Sequence, residues 1–226
     1  MYRPVGRWRL ELANIFEEVD EEVRKDQFSV FWRQYGKFVV AGATLALALS
    51  VGFVWWQDYD FKQRAQSSQE FEQAIKFIAA KKNDEANQTL AKLSESGTSG
   101  YVMLARFRAA GIKADAGDHA AAAQIYGALA ADDSLDKVYR NLAQLYSIMQ
   151  RADDGDPAQL AEEVKPLLHV DSAWRFSALE LAAALALRQK NSDVAKNHLK
   201  ALADDPAAPI GLRRRASEML QAIDGS

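Results

Sequence analysis

Nineteen consecutive residues without a charge, from Phe38 to Trp56, constrain this chain more than any other feature. As an α-helix this stretch would be about 28 Å long, close to the roughly 30 Å hydrocarbon core of a bilayer. Nine of its residues are Leu, Val or Phe. Together they favour membrane insertion by roughly 4 kcal/mol. We therefore expect a transmembrane helix at residues 38–56.

Two other interpretations of this stretch are less favourable. A buried core helix of this length normally has a polar side, and this one has none. A cleavable signal peptide begins near residue 1 and ends at small residues, whereas this stretch begins at residue 38 and ends in two tryptophans. Aromatic and basic residues flank it as interfacial anchors should. They are Trp32, Tyr35, Lys37, Trp55, Trp56 and Tyr59.

The distribution of basic residues predicts the orientation of the span. The 20 residues before Phe38 contain four Lys or Arg, the 20 residues after Trp56 contain three, and three further arginines precede residue 10. Loops rich in Lys and Arg stay on the cytoplasmic side. We expect three regions: a cytoplasmic tail at residues 1–37, the span at 38–56, and a domain at 57–226 on the opposite side.

Small residues form one strip along the predicted span. Gly42, Ala46 and Ser50 lie four residues apart and therefore on one side of a helix. Such strips allow two helices to approach closely in lipid. An alanine-rich span also produces this spacing by chance, and the sequence leaves both interpretations open.

The tail before the span has the pattern of an amphipathic helix from Leu10 to Tyr35. Apolar residues recur at spacings of three and four, with acidic and basic residues on the other side. The apolar positions are Leu12, Ile15, Phe16, Val19 and Val23. This side would contact a partner protein or the membrane surface, or the helix would only extend the span.

After Tyr59 the sequence indicates helix pairs with a repeated pattern. The turn Gly117-Asp118 is followed by Ala122 and, four residues later, by Tyr126, which is typical of a tetratricopeptide repeat. Two other segments carry a small residue and two leucines at the same spacing: Ala86, Leu90 and Leu93, and Ala195, Leu199 and Leu202. Ala122 lies 36 residues after Ala86 and 73 before Ala195, so one further unit is expected between the last two.

This further unit has a first helix from Leu135 to Gln150 and a second from Ala158 to Leu168. Pro166 lacks a backbone donor, so the second helix should kink or end early. Residues 209–223 form a last helix whose Arg213, Arg214 and Arg215 face water as a cap or bind an anionic partner. The predicted fold is all-α: the amphipathic helix, one transmembrane helix, and a tetratricopeptide-like α-solenoid of about four helical hairpins plus a capping helix.

The composition of the chain leaves few residues that could carry enzyme chemistry. The chain has no cysteine and three histidines, His119, His169 and His198, none with a neighbouring ligand set. Its net charge of −3 and lack of a basic stripe exclude a typical nucleic-acid-binding protein. No phosphate-binding or nucleophile motif occurs. We predict that the chain is not an enzyme and has no metal or cofactor.

Three short strings resemble a known family. They are the tail Ile15-Phe16-Glu17-Glu18-Val19-Asp20-Glu21-Glu22, the approach Trp32-Arg33-Gln34-Tyr35-Gly36, and the closing segment from Asp204 to Arg213. With one span and divergent repeats, they resemble the YfgM-like family of bacterial inner-membrane proteins, in its alphaproteobacterial version. The resemblance implies a cytoplasmic N-terminus and a periplasmic repeat domain. It also implies association with the Sec translocon, a periplasmic chaperone of the PpiD type and unfolded secreted proteins.

The leading hypothesis is a membrane-anchored adaptor for protein–protein interaction. Its first helices would line a groove that includes Phe107, Arg140, Gln144 and Glu180. The alternative is a structural accessory subunit of another inner-membrane complex, in which the small-residue strip and the tail would be permanent contacts.

Overall fold

The computed structural model describes the backbone of residues 8–225 and the side chains of residues 32–225. Every regular element in this part is helical. The α-helices are α1 (Trp8–Ala79), α2 (Asn83–Ser96), α3 (Ser99–Asp115), α4 (His119–Ala130), α5 (Lys137–Arg151), α6 (Pro157–Val164), α7 (Arg175–Arg188), α8 (Ser192–Ala203) and α9 (Ile210–Asp224). The chain divides after Lys62 into two units, Met1–Lys62 and Gln63–Ser226.

In the first unit the uncharged stretch forms part of α1. Every side chain from residue 37 to residue 59 is exposed, although most are apolar. Helix α1 contains a segment long and apolar enough to cross a membrane. The apolar side predicted for the tail, from Leu12 to Val23, lies outside the described side chains.

In the second unit the predicted small and large positions are buried. Ala86, Ala122 and Ala195 have no exposed surface. Leu90, Leu93, Leu199 and Leu202 are fully buried too, and Tyr126 nearly so. Small residues let helices approach closely, and the large residue one turn later fills the space beside the crossing. The periodic pattern therefore identified the packed side of α2, α4 and α8 correctly.

The unit expected between Ala122 and Ala195 consists of α5 and α6. Helix α6 ends at Val164, and residues Lys165–Leu168 continue as one 3-10 turn. Proline has no N–H to donate at Pro166, so the α-helical hydrogen-bond pattern stops there. The predicted early end of this helix is confirmed.

Four apolar clusters hold the described helices of this unit together, each shared by neighbouring elements. The cluster nearest the C-terminus joins α7, α8 and α9 through Leu179, Leu199, Leu202 and Ala216. Each helix in it buries one apolar side against its neighbours. Stability of the unit is thus spread over contacts between adjacent helices.

An ion pair links the start of α7 to the turn after α8. Nη1 of Arg175 donates to Oδ2 of Asp205 over 2.7 Å, and the Ala207 N–H donates to Oδ1 over 2.9 Å. Both side chains are about three-quarters buried. The hydrogen bond from Arg175, supported by the Ala207 N–H, holds the pKa of Asp205 below its ordinary value.

Acid should weaken this turn in a defined range of pH. Because its pKa is lower in the folded than in the unfolded chain, Asp205 contributes stability above about pH 4 that disappears as the pH falls through the folded-state pKa. We expect Asp205→Asn to lower the free energy of unfolding at pH 7. The difference from wild type should shrink as the pH falls from about 4 through the lower folded-state pKa, because Asp205 is then protonated and uncharged like the asparagine. Urea unfolding at several pH values measures this.

The matched control is Asp204→Asn, which removes a neighbouring carboxylate that makes no side-chain hydrogen bond in the described part of the chain. It should follow the wild-type profile. An Asp204 variant with the same pH-dependent loss would contradict a specific role for Asp205.

Candidate functional site

Two neighbouring clefts open on the side of α3 and α5. Each has a volume of about 440 Å³, and both are lined by Met103 and Tyr139. The first extends along α3 past Leu104 and Phe107 towards the end of α1. The second lies at the start of α3 and includes Leu135. The two clefts therefore share part of their lining.

A third cleft, of about 610 Å³, lies on the other side of the start of α5. Its lining includes Val138 and Asn141 of α5 and Trp174, which precedes α7. The Trp174 ring Nε1 donates to the Val138 carbonyl over 2.8 Å, which ties the loop before α7 to α5. We name the three clefts together the α5 surface. It exposes about 40% each of Leu104, Val138 and Tyr139.

Three aromatic rings pack beside one another in the first cleft. Tyr126 and Tyr146 have ring centroids 5.2 Å apart, and Phe107 lies 5.9 Å from Tyr126 and 6.4 Å from Tyr146. These tilted and edge-on arrangements are favourable for aromatic side chains. They give the cleft a rigid apolar wall from α3, α4 and α5.

Tyr126 supplies one of the two tyrosine hydroxyls of this wall. The residue is only 6% exposed, and the hydroxyl makes no hydrogen bond within the described chain. A Cβ added to Gly111 would lie 3.9 Å from its oxygen, which places it beside this glycine of α3. Burial raises the pKa of Tyr126, with smaller contributions in the same direction from Tyr146 and Asp115. The hydroxyl therefore stays protonated and can donate.

One cation and one anion border the same cleft. Arg108 and Asp115 are both exposed on α3, and neither forms an ion pair among the described residues. In the second cleft, one of the two acidic residues already accepts hydrogen bonds from its own chain segment. Asp132 accepts hydrogen bonds from the Ser134 hydroxyl and N–H, which lower its pKa.

The structure does not bring the four predicted groove residues together. Phe107 lines the first cleft. Arg140 pairs with Asp133 in the segment before α5. Nε2 of Gln144 donates to the Glu163 carbonyl of α6 over 2.7 Å and so joins two helices.

The fourth residue, Glu180, pairs with the last helix. Arg215 donates to both carboxylate oxygens, over 2.7 and 2.8 Å. The Arg215 side chain is still about half exposed. The arginines of α9 were expected to face water or bind an anionic partner, and Arg215 instead has an internal partner on α7. Arg214 remains exposed, 3.7 Å from Glu218.

The residues predicted to pack or anchor the apolar helix have the following positions in the structure. The Ser50 hydroxyl donates to the Ala46 carbonyl over 2.8 Å, and a Cβ on Gly42 would meet nothing within 4 Å. Trp32, Tyr35, Trp55, Trp56 and Tyr59 are exposed, and the Lys37 ammonium lies 5.1 Å from the Phe38 ring centroid. These positions stay predictions for helix packing and for interfacial anchoring.

Sequence reasoning missed most of the α5 surface. The sequence gives no reason to predict a binding role for Met103, Leu104 or Val138, because single apolar residues on a helix normally belong to the core. Their partial exposure beside Tyr139 is the signal that only the structure provides. Within residues 32–225 no group of three or more His, Cys, Asp or Glu could hold a metal ion.

One comparison with known proteins gave a match. A family model described as "Tetratricopeptide repeat-like domain" matches residues 29–164, which is more than half of the chain. The matched range includes α2 to α6 and therefore most of the α5 surface. No curated protein and no solved structure matched the sequence.

Proposed function

The chain belongs to the tetratricopeptide repeat-like domain family, and from this we propose that it is a membrane-anchored adaptor that binds other proteins through the α5 surface. Domains of this kind are typically interaction modules without enzyme activity. The observation that carries the proposal is the set of partly exposed apolar and aromatic side chains, among them Leu104, Val138 and Tyr139, that line clefts on both sides of α5. Exposed apolar side chains that line clefts are typical of binding sites.

The finer architecture is part of the proposal. The end of α1 with α2, then α3 with α4, α5 with α6 and α7 with α8 would form four hairpins of an α-solenoid, with α9 as a cap. Its support is the packing of consecutive helices and the polar outer side of α9. In such a stack, α3, α5 and α7 would line the inner side.

Anchoring by residues 38–56 would place residues 1–37 in the cytoplasm and residues 57–226 in the periplasm. The exposed apolar surface of α1 and the distribution of Lys and Arg support this arrangement. A tethered domain meets a membrane partner at a high effective concentration, so weak contacts suffice for binding.

The resemblance to the YfgM-like family leads to a specific proposal for the partners. They would be the Sec translocon, a periplasmic chaperone of the PpiD type and secreted chains that have not yet folded. An apolar surface suits unfolded chains because these expose the apolar residues that a folded protein buries.

Photocrosslinking in cells tests this function. A benzoylphenylalanine at Tyr139, between the clefts, should capture translocon components, the chaperone or secreted chains. The matched control places the same group at Asp193, which is exposed on α8 and lines none of the three clefts. It should capture these proteins at least fivefold less.

Two results would count against the proposal. Capture of only this chain itself from position 139 would rule out the adaptor function. Equal capture from positions 139 and 193 would show that the α5 surface is not the binding site. Stoichiometric co-purification with a different inner-membrane complex would favour the accessory-subunit alternative.

A further inference from the structure

A further groove lies on the side of α3 that is turned away from the first cleft. It is lined by α2, α3 and α4 and has a volume of about 580 Å³. Most of its surface is apolar and comes from Ala91 of α2, Ala109 of α3, and Ile125 and Ala128 of α4. We name it the outer groove. It lies between the second helices of two proposed hairpins, α2 and α4.

Two cations line the outer groove from α3. Arg106 and Lys113 are seven residues apart, so they lie on one side of the helix and about 10 Å from each other along its axis. Both side chains are slightly less than half exposed. Arg106 also borders the second cleft. No Asp or Glu is among the described residues that line the outer groove, which therefore has two positive charges and no negative one.

The carboxylates paired with these cations are too far away for hydrogen bonds. Nη1 of Arg106 is 3.7 Å from Oδ2 of Asp132, and Nζ of Lys113 is 3.8 Å from Oδ2 of Asp118. Asp132 accepts hydrogen bonds from Ser134 instead, and Asp118 accepts from a backbone N–H in the first turn of α4. Each cation can therefore bind a further carboxylate at a shorter distance.

The next hairpin is built on the same pattern. Asp118 and Asp156, 38 residues apart, each accept from a backbone N–H at the start of α4 and α6. Ala105 and Ala143, also 38 residues apart, have no exposed surface on α3 and α5. Positions in the hairpin of α3 and α4 therefore correspond to positions 38 residues later in the hairpin of α5 and α6.

This correspondence shows which group the outer groove lacks. Lys113 corresponds to Arg151, and Ile125 corresponds to Glu163. Arg151 donates to both carboxylate oxygens of Glu163. Ile125 has no acceptor to offer to Lys113. A carboxylate that the chain itself supplies in one hairpin is thus missing from the preceding one.

The apolar lining favours a helical ligand. A helix satisfies its backbone donors and acceptors internally, whereas an extended segment would bury some of them against alanine without partners. Ala91, Ala109 and Ala128 are small and allow a further helix to approach closely. In a helix that lies along α3, acidic residues seven positions apart have the same separation as Arg106 and Lys113.

We propose that the outer groove binds an amphipathic helix of a partner protein, with two acidic residues seven positions apart beside a strip of small or apolar residues. The acidic residues pair with Arg106 and Lys113, and the strip packs on Ala109 between them. One of these residues supplies the carboxylate that Glu163 supplies in the next hairpin. The outer groove is an interaction surface additional to the α5 surface.

Peptide binding to the full-length protein in lipid nanodiscs tests the charge pattern. Three fluorescent, hydrocarbon-stapled helical peptides share leucines and alanines along one side. They differ only at two positions seven residues apart, which carry glutamate, glutamine or lysine. The glutamate peptide should bind roughly threefold to tenfold more tightly than the glutamine peptide, as expected for two partly exposed ion pairs, and the lysine peptide should bind most weakly. Because the net charge of the chain is −3, nonspecific attraction would favour the lysine peptide instead.

Neutralising the two cations should remove this preference. Arg106→Gln combined with Lys113→Gln should bind the glutamate and glutamine peptides equally. The matched control is Lys200→Gln combined with Arg214→Gln, which changes the net charge by the same amount at exposed positions of α8 and α9 that do not line the groove. It should keep the wild-type preference. Circular dichroism checks that both double variants unfold at the wild-type temperature.

Filling the groove tests where the peptide binds. Ala128→Trp places a large ring in the lining and should weaken binding of the glutamate peptide at least tenfold. Ala120→Trp is the matched control, because Ala120 is exposed on the same helix and does not line the groove. It should bind the peptide as the wild type does.

Several results would overturn this proposal and leave the adaptor function through the α5 surface in place. These are equal affinity of the wild-type chain for the glutamate and glutamine peptides, a preference that survives the loss of both cations, wild-type affinity of Ala128→Trp, and failure of all three peptides to bind. The comparison of the three peptides on the wild-type chain depends on no variant. Crosslinking from position 139 tests the α5 surface independently.

Discussion

A chain with arginine in place of both Leu47 and Leu49 is expected to lose its stable attachment to membranes. These leucines lie near the centre of the uncharged stretch, and both are about two-thirds exposed on α1. Replacing Leu by Arg at the centre of a span changes the free energy of insertion by about 3–4 kcal/mol. Two such changes exceed the roughly 4 kcal/mol by which the apolar residues of this stretch favour insertion.

Carbonate extraction of isolated membranes measures this effect. Wild-type chain should stay in the membrane pellet, and most of the arginine variant should be extracted or degraded. The matched control, Leu47→Ile with Leu49→Ile, keeps the stretch apolar and should behave as the wild type does. An arginine variant that resists extraction would show that residues 38–56 are not what attaches the chain to the membrane.

The second large effect is expected from Leu199→Ala in α8. Leu199 has no exposed surface and packs in the cluster shared by α7, α8 and α9. Truncating a buried leucine removes its apolar contacts and leaves a cavity, at a cost of about 2–5 kcal/mol. In a domain of this size, this corresponds to a fall in Tm of roughly 5–15 °C. Circular dichroism of the full chain in nanodiscs would detect it.

Val194→Ala in the same helix provides the comparison. Val194 is 39% exposed and belongs to none of the apolar clusters described. Its truncation should change the free energy of unfolding by less than about 1 kcal/mol. Similar losses in both variants would mean that α8 does not bury the side predicted by its repeat pattern.

These effects also separate the two parts of the proposed function. The arginine variant removes the proposed anchor and leaves the residues of the α5 surface unchanged. Leu199→Ala weakens the repeat domain and leaves the uncharged stretch unchanged. If tethering raises the effective concentration of the domain, the arginine variant should lose crosslinks to membrane partners. It should still bind soluble peptides if the repeat domain remains folded.

Local sequence patterns determined which side of α2, α4 and α8 is buried. The positions of Ala86, Ala122 and Ala195, with the large residues that follow them, follow from helical periodicity alone. The end of α6 before Pro166 follows from a missing backbone donor. Both are local effects, because a helix repeats every 3.6 residues and a proline acts on its own turn.

Tertiary structure alone decided which polar side chains meet and where the clefts open. Glu180 pairs with Arg215, 35 residues later, and Gln144 reaches the Glu163 carbonyl, so neither is simply a groove residue. Phe107 alone of the predicted set lines the first cleft, beside the Tyr126 hydroxyl. A shift of one residue rotates a side chain by about 100°, so contacts between helices depend on their rotation and crossing angle. Periodicity within one helix carries no information on either quantity.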